Sequence, residues 1–501
     1  MYINNKILVG KNDKKEAYLL LDKANRHGLI TGASGSGKTI TLKVLAESFS
    51  DAGVPVFFSD VKGDLAGCAV SGEESESVIK RVENLKLDNF EFKSYPVRFW
   101  DLFREYGHPI RVKVSDVGPD ILSIMLGLSE AQEGNLDIVF KIAEDENKKL
   151  TDLKDLKSLV TYVADNKNDY ITKYGNITTQ SMGVIQRCLL SLENQGADKF
   201  FGKPSLDIND FISVNNEGKG IINILNAVKL FNSPDLYASF MLWLLIELYN
   251  KMSEVGDLDK PKIVFFFDEA HLLFNEMPSY RLKKVAQIVK LIRSRGIGLY
   301  FVSQKPTDIP DEIIGQLGNR VQHTLRAYTP AELKVVKTAS DAFRVNPEFK
   351  TDEAILSLGT GEALVSFQNE KGEPEVVERV TILPPQSKMG AVDISVYNRV
   401  INNSPYAGKY DNDEDDESAY EEITKITEER QKLKEEALQK KEEEKLQKEK
   451  EKEELKRQKE EEKAKKNNPM YQIGKKAVNK TTDKILNRII NAVLNAFTKK
   501  K

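Results

Sequence analysis

A glycine-rich stretch near residue 30 has the residue types and spacing of a phosphate-binding loop. It runs from Gly32 to Lys38-Thr39, fits the pattern GxxxxGK[ST], and follows the apolar segment 27–31. Glycines let successive backbone N–H groups point at one anion where a helix begins. We expect Lys38 to bridge the β- and γ-phosphates of ATP, and the Thr39 hydroxyl to bind Mg²⁺. The predicted nucleotide-binding residues are Gly32, Ala33, Ser34, Gly35, Ser36, Gly37, Lys38 and Thr39.

Two acidic residues end a second apolar segment, residues 263–267, which runs directly into Asp268 and Glu269. In P-loop ATPases the first of two such carboxylates holds the Mg²⁺ shell, and the next orients the attacking water. Acids at the end of a strand are often ordinary surface residues, so the pair takes its meaning from the phosphate-binding loop. We expect Asp268 to serve Mg²⁺ and Glu269 to serve hydrolysis.

Polar residues also follow two further apolar segments. Gln304 follows 298–303, and its amide would sense the γ-phosphate, although a residue that caps a loop gives the same pattern. Asp60 ends the segment 54–60, where it either supports a Mg²⁺-bound water or turns the chain. Hydrolysis also needs a cation at the γ-phosphate, commonly an arginine from a neighbouring subunit. The spacing selects none of the candidates, which are Arg187, Arg293, Arg295, Arg320 and Arg326.

The elements that must position these residues alternate along the chain. Short, fully apolar segments predict strands, and they are separated by helical patterns such as 237–252 and 280–295. This alternation is typical of an α/β fold with a mainly parallel sheet. Between 72 and 204 the pattern is mostly helical, with one strand-like piece at 110–114, and we interpret 120–204 as a helical insertion.

Charge is spread unevenly over the 501 residues. The net charge is −4 for 1–410, but 411–466 contains 22 acidic and 16 basic residues, and 467–501 carries +7. Sparse apolar residues in 421–466 favour an exposed single helix or a disordered linker over a stable coiled coil. The predicted organisation is a first part of the core over 1–119, the insertion over 120–204, the second part of the core over 205–402, a charged linker over 403–466 and a basic helix over 467–501.

The last segment, 483–497, has the pattern of a short amphipathic helix. Leu486, Ile490, Val493 and Phe497 share one helical face, and lysines flank the segment on both sides. Such a helix could lie on an anionic membrane or dock in a groove of a protein partner. Packing against the body of the chain, or capping a ring, explains the pattern equally well.

Several classes of protein are excluded by composition. There is no run of 18–20 apolar residues to span a membrane, and the first residues lack the pattern of a secretory signal. The two cysteines, Cys68 and Cys188, are far apart and outside any CxxC pattern, which argues against a disulfide framework or a zinc site. These features predict a protein of the reducing cytoplasm.

Four stretches together resemble one known family. They are SDVKGDLAG (59–67), IQRCLLSLENQGADKFFG (185–202), DEAHLLF (268–274) and the run from 292 to 330. The chain is similar over 1–385 to the bacterial HerA-like ATPases of the FtsK/HerA superfamily. That resemblance implies a RecA-like (ASCE) P-loop core, hydrolysis of ATP with Mg²⁺, and a hexameric ring with the site between subunits. It also makes Arg187 the first choice for the arginine acting in trans, with Arg320 second.

The resemblance leaves two functional hypotheses. The first is a ring motor that translocates DNA, helped by the basic helix 281–295, which a solvated helical face would also explain. The second is an ATP-dependent scaffold that recruits a partner or a membrane through its tail. HerA carries a nuclease-docking β-barrel ahead of its core, and with about 26 residues ahead of the P-loop segment that docking is not carried over.

A DEAH-type helicase is the rival enzyme, because residues 268–271 spell that box. The spacing argues against it, since Asp268 lies far beyond the distance from the P-loop that those helicases use, and the segment 316–320 lacks their QxxGRxGR pattern. We therefore expect His271 to be a first-turn helix residue that packs near the sheet.

Overall fold

In the computed structural model, residues 1–275, 277–415 and 417–467 are described, together with 469–470, 473, 477, 484–486 and 488–489. Within these residues the strands, in chain order β1 to β13, are Tyr2–Ile3, Lys6–Lys11, Glu16–Leu20, Gly28–Thr31, Val56–Asp60, Val97–Asp101, His108–Pro109, Ile222–Asn226, Ile263–Phe267, Ile297–Ser303, Asn319–Gln322, Glu362–Ser366 and Glu378–Ile382. The α-helices, α1 to α15, are Lys38–Asp51, Glu76–Asn84, Val114–Met125, Glu130–Asp145, Leu153–Asp165, Lys167–Tyr174, Thr179–Asn194, Pro234–Lys251, His271–Phe274, Ser279–Ile292, Asp311–Ile314, Pro330–Asp341, Thr351–Ser357, Ile394–Asn402 and Ala419–Asn467.

One mixed sheet forms the centre of the first unit. Its order is β1-β2-β13-β12-β11-β4-β10-β9-β5-β8-β6-β7, with β3 pairing with β2. In the order of the sheet, the eight strands β11-β4-β10-β9-β5-β8-β6-β7 are parallel. The sheet is extended beyond β11 in antiparallel pairs by β12, β13, β2, β3 and β1. Strand β10 separates β4, which enters the glycine-rich loop, from β9, which ends at Asp268. This is the additional-strand arrangement of RecA-like P-loop proteins, and it confirms the predicted α/β fold.

Apolar side chains on both faces explain why the central strands are buried. All five residues of β9 are buried, and the rings of Phe266 and Tyr300 lie 5.2 Å apart between β9 and β10. Helix α1 covers one face through Phe49, whose ring lies 6.1 Å from that of Tyr300. Parallel strands covered on both faces bring their carboxyl ends to one edge, which is where the candidate site residues lie.

Helices α3 to α7 lie between β7 and β8 in the sequence, in the region where we predicted an insertion. They begin at Val114 and end at Asn194, and they pack on one another and, through α3, on α8. The boundaries 120–204 stay a prediction, since helical structure begins a few residues earlier and 195–204 is mostly irregular.

The predicted strand at 110–114 is wrong. Strand β7 covers only His108–Pro109, and Val114 already begins α3. The backbone between them pairs with loop segments: the Val112 N–H donates to the Phe200 carbonyl (2.9 Å), and the Leu206 N–H donates to the Arg111 carbonyl (2.7 Å). The apolar alternation at 110–114 therefore reflects burial without a neighbouring strand.

Strand β6 was missed because it does not read as an apolar segment. It contains Arg98 and ends in Asp101, yet both side chains are buried. Arg98 donates to the Asp210 carbonyl (2.9 Å), and Asp101 accepts backbone N–H groups of the following turn, including that of Phe103 (2.7 Å). Polar side chains with satisfied partners thus occupy a buried strand.

The chain divides into two compact units, 1–421 and 422–501. The first unit continues past residue 402: Tyr410 is fully buried, and Asp413 forms ion pairs with Arg104 (2.7 Å) and Arg111 (2.6 Å). In the second unit, α15 continues to Asn467 as a helix whose side chains are almost all exposed. The predicted amphipathic helix 483–497 lies outside the described residues, apart from 484–486 and 488–489, which are helical.

No helix within the described ranges is both long enough and apolar enough to cross a bilayer.

Candidate functional site

The glycine-rich loop joins β4 to α1 and is fitted tightly to its surroundings. A side chain at position 32 would place its Cβ 2.5 Å from that of His323, so only glycine fits there. Gly37 caps α1 with φ 113°, a conformation that favours glycine. The loop therefore directs the N-terminus of α1 towards the carboxyl edge of the sheet, as an anion-binding loop requires.

Lys38 lies at the first position of α1 and folds back over the loop. Its Nζ donates to the carbonyls of Gly32 (2.6 Å) and Ala33 (3.1 Å). Burial lowers the pKa of Lys38, while the nearby carboxylates of Asp268 and Glu269 act in the opposite direction. The structure thus brings the predicted phosphate-binding lysine and the predicted acids within electrostatic reach of each other.

Asp268 follows β9 and is half-buried at the edge of the sheet. Burial, and then the charge of Glu269, raise its pKa to about 7. Its carboxylate accepts the N–H of Glu269 (2.9 Å), and its carbonyl accepts the Tyr237 hydroxyl (2.6 Å). Because the Tyr237 proton is used there, this hydroxyl accepts from Ser59 Oγ (2.8 Å). The backbone of the acidic pair is therefore held by α8 and β5.

Glu269 adopts a left-handed backbone conformation, with φ 46°, although it is not glycine. Non-glycine residues in this region carry strain and are concentrated at functional sites. The Glu269 side chain is buried, and its Oε2 lies 3.4 Å from Gln304 Nε2 and 3.5 Å from His271 Nδ1. Gln304 therefore contacts the acid from the end of the neighbouring strand β10.

His271 begins the short helix α9, as predicted, but it lies closer to the chemistry than we expected. Its Nδ1 faces the Glu269 carboxylate and has no hydrogen-bond partner within the described part of the chain. Helical spacing does not predict this contact, because side chains two positions apart do not face each other on a helix.

Asp60 ends β5 and organises the loop that follows. Its Oδ1 accepts the N–H groups of Gly63 (2.8 Å) and Asp64 (3.2 Å), and its Oδ2 accepts those of Leu65 (3.0 Å) and Ala66 (3.1 Å). Burial raises the pKa of Asp60 to about 6, and the backbone donors oppose that change. Of the two alternatives for Asp60, the structure favours the one in which it turns the chain.

A cavity of ≈ 340 Å³ opens between the glycine-rich loop and the acidic edge. Lys38, Thr39 and Asp268 line it, so both predicted Mg²⁺ ligands face one space together with the predicted phosphate-binding lysine. The buried Ser36 Oγ has no hydrogen-bond partner within the described part of the chain. This donor set fits a Mg²⁺–nucleotide, because two oxygen ligands from the protein leave the rest of the Mg²⁺ shell to phosphate and water.

The far wall of the cavity comes from a segment that sequence reasoning missed. Met389 and Gly390, which follow β13, line the cavity together with Thr360. The segment is attached to α1, because the buried Glu47 carboxylate accepts the N–H groups of Gln386 (2.8 Å) and Ser387 (3.1 Å). No motif marks these residues, so only the fold reveals them.

The five candidate arginines lie in different environments. Arg187 is exposed on α7, Arg293 and Arg326 are exposed elsewhere, and none of the three lines the cavity. Arg320 donates to the carbonyls of Leu317 (3.3 Å) and Ala342 (3.1 Å), and Arg295 lies 4.3 Å from the centre of the Tyr249 ring. Arg295 and Arg320 therefore stabilise the fold of the chain itself, whereas Arg187 stays a candidate for a role in trans.

The basic helix is less available than its sequence indicates. Arg281 is 3% exposed and donates to the Leu128 carbonyl (2.6 Å), and Lys284 pairs with Asp120 (2.7 Å). Within the described ranges, Lys283 and Lys290 are the lysines of this helix that are exposed and unpaired. The predicted basic patch is therefore smaller than the count of basic residues suggested.

The family described as Helicase HerA-like C-terminal matches residues 5–501. The DNA double-strand break repair helicase HerA of Sulfurisphaera tokodaii is 24% identical over 366 residues, which cover 70% of this chain and 64% of that protein. The HerA of Saccharolobus solfataricus is 24% identical over 363 residues, covering 72% and 64%. The chain thus spans less than two thirds of the length of these curated relatives.

Solved structures agree on the fold. The plasmid coupling protein TrwB in complex with the GTP analogue GDPNP has a TM-score of 0.52 at 11% identity, covering 78% of this chain and 91% of TrwB. TrwB with the ATP analogue ADPNP has a TM-score of 0.50 at 12% identity, covering 78% and 95%. The phosphate-binding loop, the acidic strand end and the match along the chain lead to one conclusion: this chain belongs to the HerA-like family of P-loop ATPases.

Proposed function

We propose that this chain hydrolyses ATP with Mg²⁺ and uses the energy to translocate DNA. The observation that carries the proposal is the single cavity that brings Lys38 and Thr39 together with Asp268, beside the strained Glu269. Family membership supports a nucleotide-driven motor, and the curated relatives are named as DNA repair helicases.

The residues divide the chemistry among themselves. The loop from Gly32 to Thr39 binds the phosphates through backbone N–H groups, and Lys38 adds a point charge. Thr39 and Asp268 hold Mg²⁺, which neutralises charge on the phosphates when bound. Glu269 orients the attacking water and accepts its proton, and Gln304, which already contacts Glu269, senses the terminal phosphate.

Assembly completes the proposal. We place the site between subunits of a homo-oligomer, a hexameric ring in the cytoplasm, in which the exposed Arg187 of one subunit faces the nucleotide of the next. An arginine supplied in this way stabilises charge on the transferred phosphoryl group. Its exposure on α7 and the lack of any ion pair to it within the described ranges leave its guanidinium free for such a contact.

The test is ATP turnover of the full chain with and without single-stranded DNA, double-stranded DNA and RNA, with the oligomer mass measured alongside. A translocase shows DNA-stimulated turnover that falls steeply as salt rises, because phosphate contacts release counterions. Turnover that is the same with every nucleic acid would contradict DNA translocation and favour the scaffold hypothesis.

A deletion of 422–501 separates the tail from the motor. The cut leaves Tyr410 and the ion pairs of Asp413 in place, whereas a cut at the charge boundary near 411 would remove part of the folded unit. If the shortened chain keeps its ATP turnover but loses binding to anionic vesicles or to a protein partner, the tail recruits. We expect assembly and DNA stimulation to persist.

A further inference from the structure

The loop after β5 is fixed more firmly than an ordinary surface loop. As described above, both carboxylate oxygens of Asp60 accept backbone N–H groups from residues 63–66, and the Lys62 N–H lies 3.4 Å from Oδ1. Gly63 takes φ 77°, which lets the chain close around the carboxylate. The backbone position of Lys62 is therefore determined by a buried acid at the end of a core strand.

The charge of Lys62 lies within electrostatic reach of the residues of the nucleotide cavity. Lys62 lines the cavity together with Gly37, Lys38 and Asp268. It is exposed and makes no ion pair with any residue in the described part of the chain, although Asp64 lies two positions away. Its positive charge acts to lower the pKa of two other residues of the predicted site, Asp268 and Lys38. An unpaired lysine held beside a phosphate-binding loop is positioned for an anion.

We propose that Lys62 is a second phosphate-binding cation, supplied by the same subunit, which contacts the terminal phosphate of ATP. Lys38 lies on the loop side of the cavity, because it donates to the carbonyls of Gly32 and Ala33. Lys62 follows β5 and therefore approaches the phosphate from the side of that strand. This inference rests on the phosphate site assigned above and is independent of DNA translocation.

The step it serves is the transfer of the γ-phosphoryl group to water. The oxygen of water bonds to the γ-phosphorus, the bond from that phosphorus to the bridging oxygen breaks, and the water proton goes to Glu269. The products are ADP and inorganic phosphate. Lys62 keeps its proton and donates a hydrogen bond to a non-bridging oxygen, where negative charge must be stabilised as the bond breaks.

Asp60 is, in this interpretation, a positioning residue. Asp60 does not contact the phosphate, because its carboxylate oxygens accept backbone N–H groups of the loop. It acts by fixing the backbone position of Lys62. The same buried carboxylate therefore explains why a flexible lysine side chain can be aimed at one oxygen.

The experiment compares Lys62→Ala, Lys62→Arg and the control Lys371→Ala in the full chain. Lys371 is another exposed lysine, in the loop between β12 and β13, and it does not line the nucleotide cavity. We expect Lys62→Ala to lower turnover by about 30-fold or more, Lys62→Arg to keep part of the activity, and Lys371→Ala to match wild type. Turnover of Lys62→Ala within threefold of wild type would overturn the inference.

Binding measured in a Glu269→Gln background identifies which phosphate is contacted. Loss of a hydrogen bond to the terminal phosphate should weaken ATP about tenfold and leave ADP within about twofold. An equal loss for ATP and ADP would contradict a contact with the terminal phosphate. Lys38→Ala separates the two proposals. If Lys38→Ala binds both nucleotides normally, the assigned nucleotide site is wrong. If Lys38→Ala loses binding and Lys62→Ala does not, the site is kept and the role of Lys62 is wrong.

The role of Asp60 has its own readout. If Asp60 acts only through Lys62, the double variant Asp60→Asn/Lys62→Ala turns over ATP at the rate of Lys62→Ala alone. Additive losses in the double variant would show that Asp60 acts in another way.

Discussion

The carboxyl edge of the parallel sheet and the helix α15 are both rich in charged side chains, yet charge means something different in each. At the sheet edge a few ionisable groups are buried or half-buried, and burial raises the pKa of Asp268 to about 7. Along α15 nearly every side chain is exposed, and its ion pairs, such as Lys466 with Glu462 (3.1 Å), lie in solvent. Desolvation rather than the density of charge therefore marks the chemical site.

A glutamate-to-glutamine substitution made in each region, at Glu269 of the sheet edge and at Glu462 of α15, tests this contrast most directly. Glu269→Gln removes the carboxylate that we propose orients water, and we expect turnover to fall by about a hundredfold or more while ATP binding is kept. Lys38→Ala should instead lose ATP binding. Single-turnover kinetics with a nucleotide-binding assay separates the two results, and wild-type turnover in Glu269→Gln would refute the role assigned to that carboxylate.

A change of pH probes the buried acid without a mutation. The proposed Mg²⁺ site requires the ionised form of Asp268, and because the pKa of this carboxyl is raised to about 7, that form is lost as the pH falls through 7. Between pH 8 and pH 6 the ionised fraction falls by about tenfold, and the apparent affinity for Mg²⁺ in the presence of ATP should fall with it.

The control for the pH experiment is Asp268→Asn. Its Mg²⁺ affinity should be low at every pH, without the change around pH 7. A wild-type affinity that is constant from pH 6 to pH 8 would contradict the raised pKa of this carboxylate.

The smallest effect is expected in α15. Glu462→Gln breaks an exposed ion pair. The free energy of unfolding should therefore change by less than about 0.5 kcal/mol, and neither the ellipticity at 222 nm nor ATP turnover should change. A large loss of turnover in Glu462→Gln would show that the contrast between the two regions is wrong.

The sequence was most informative where chemistry and secondary structure coincide. The loop from Gly32 to Thr39, the acids after β9 and Gln304 after β10 could all be placed at one edge, because each follows an apolar strand of a parallel sheet. The contact between Gln304 and Glu269 follows from that topology. These features are local, so a single stretch of sequence contains the whole signal.

Long-range features could not be predicted in this way. Strand β6 was not recognised because it contains Arg98, and the composition of β12 and β13 does not distinguish them from loops. The strand predicted at 110–114 was wrong because the partners of that segment are loops. Lys62 was visible only as one more surface lysine until the backbone bonds of Asp60 fixed its position. Each of these depends on which distant segment packs nearby, and periodicity does not encode that.

The wall formed by Met389 and Gly390 has a consequence for how the protein is made. The phosphate-binding loop leaves the ribosome about 350 residues before Met389, which lies in the segment that closes the cavity and is attached through Gln386 to Glu47. A nascent chain therefore displays its phosphate-binding loop long before it can enclose a nucleotide. The complete cavity exists only after that segment has docked, so we expect nucleotide to stabilise this late contact rather than to aid early folding.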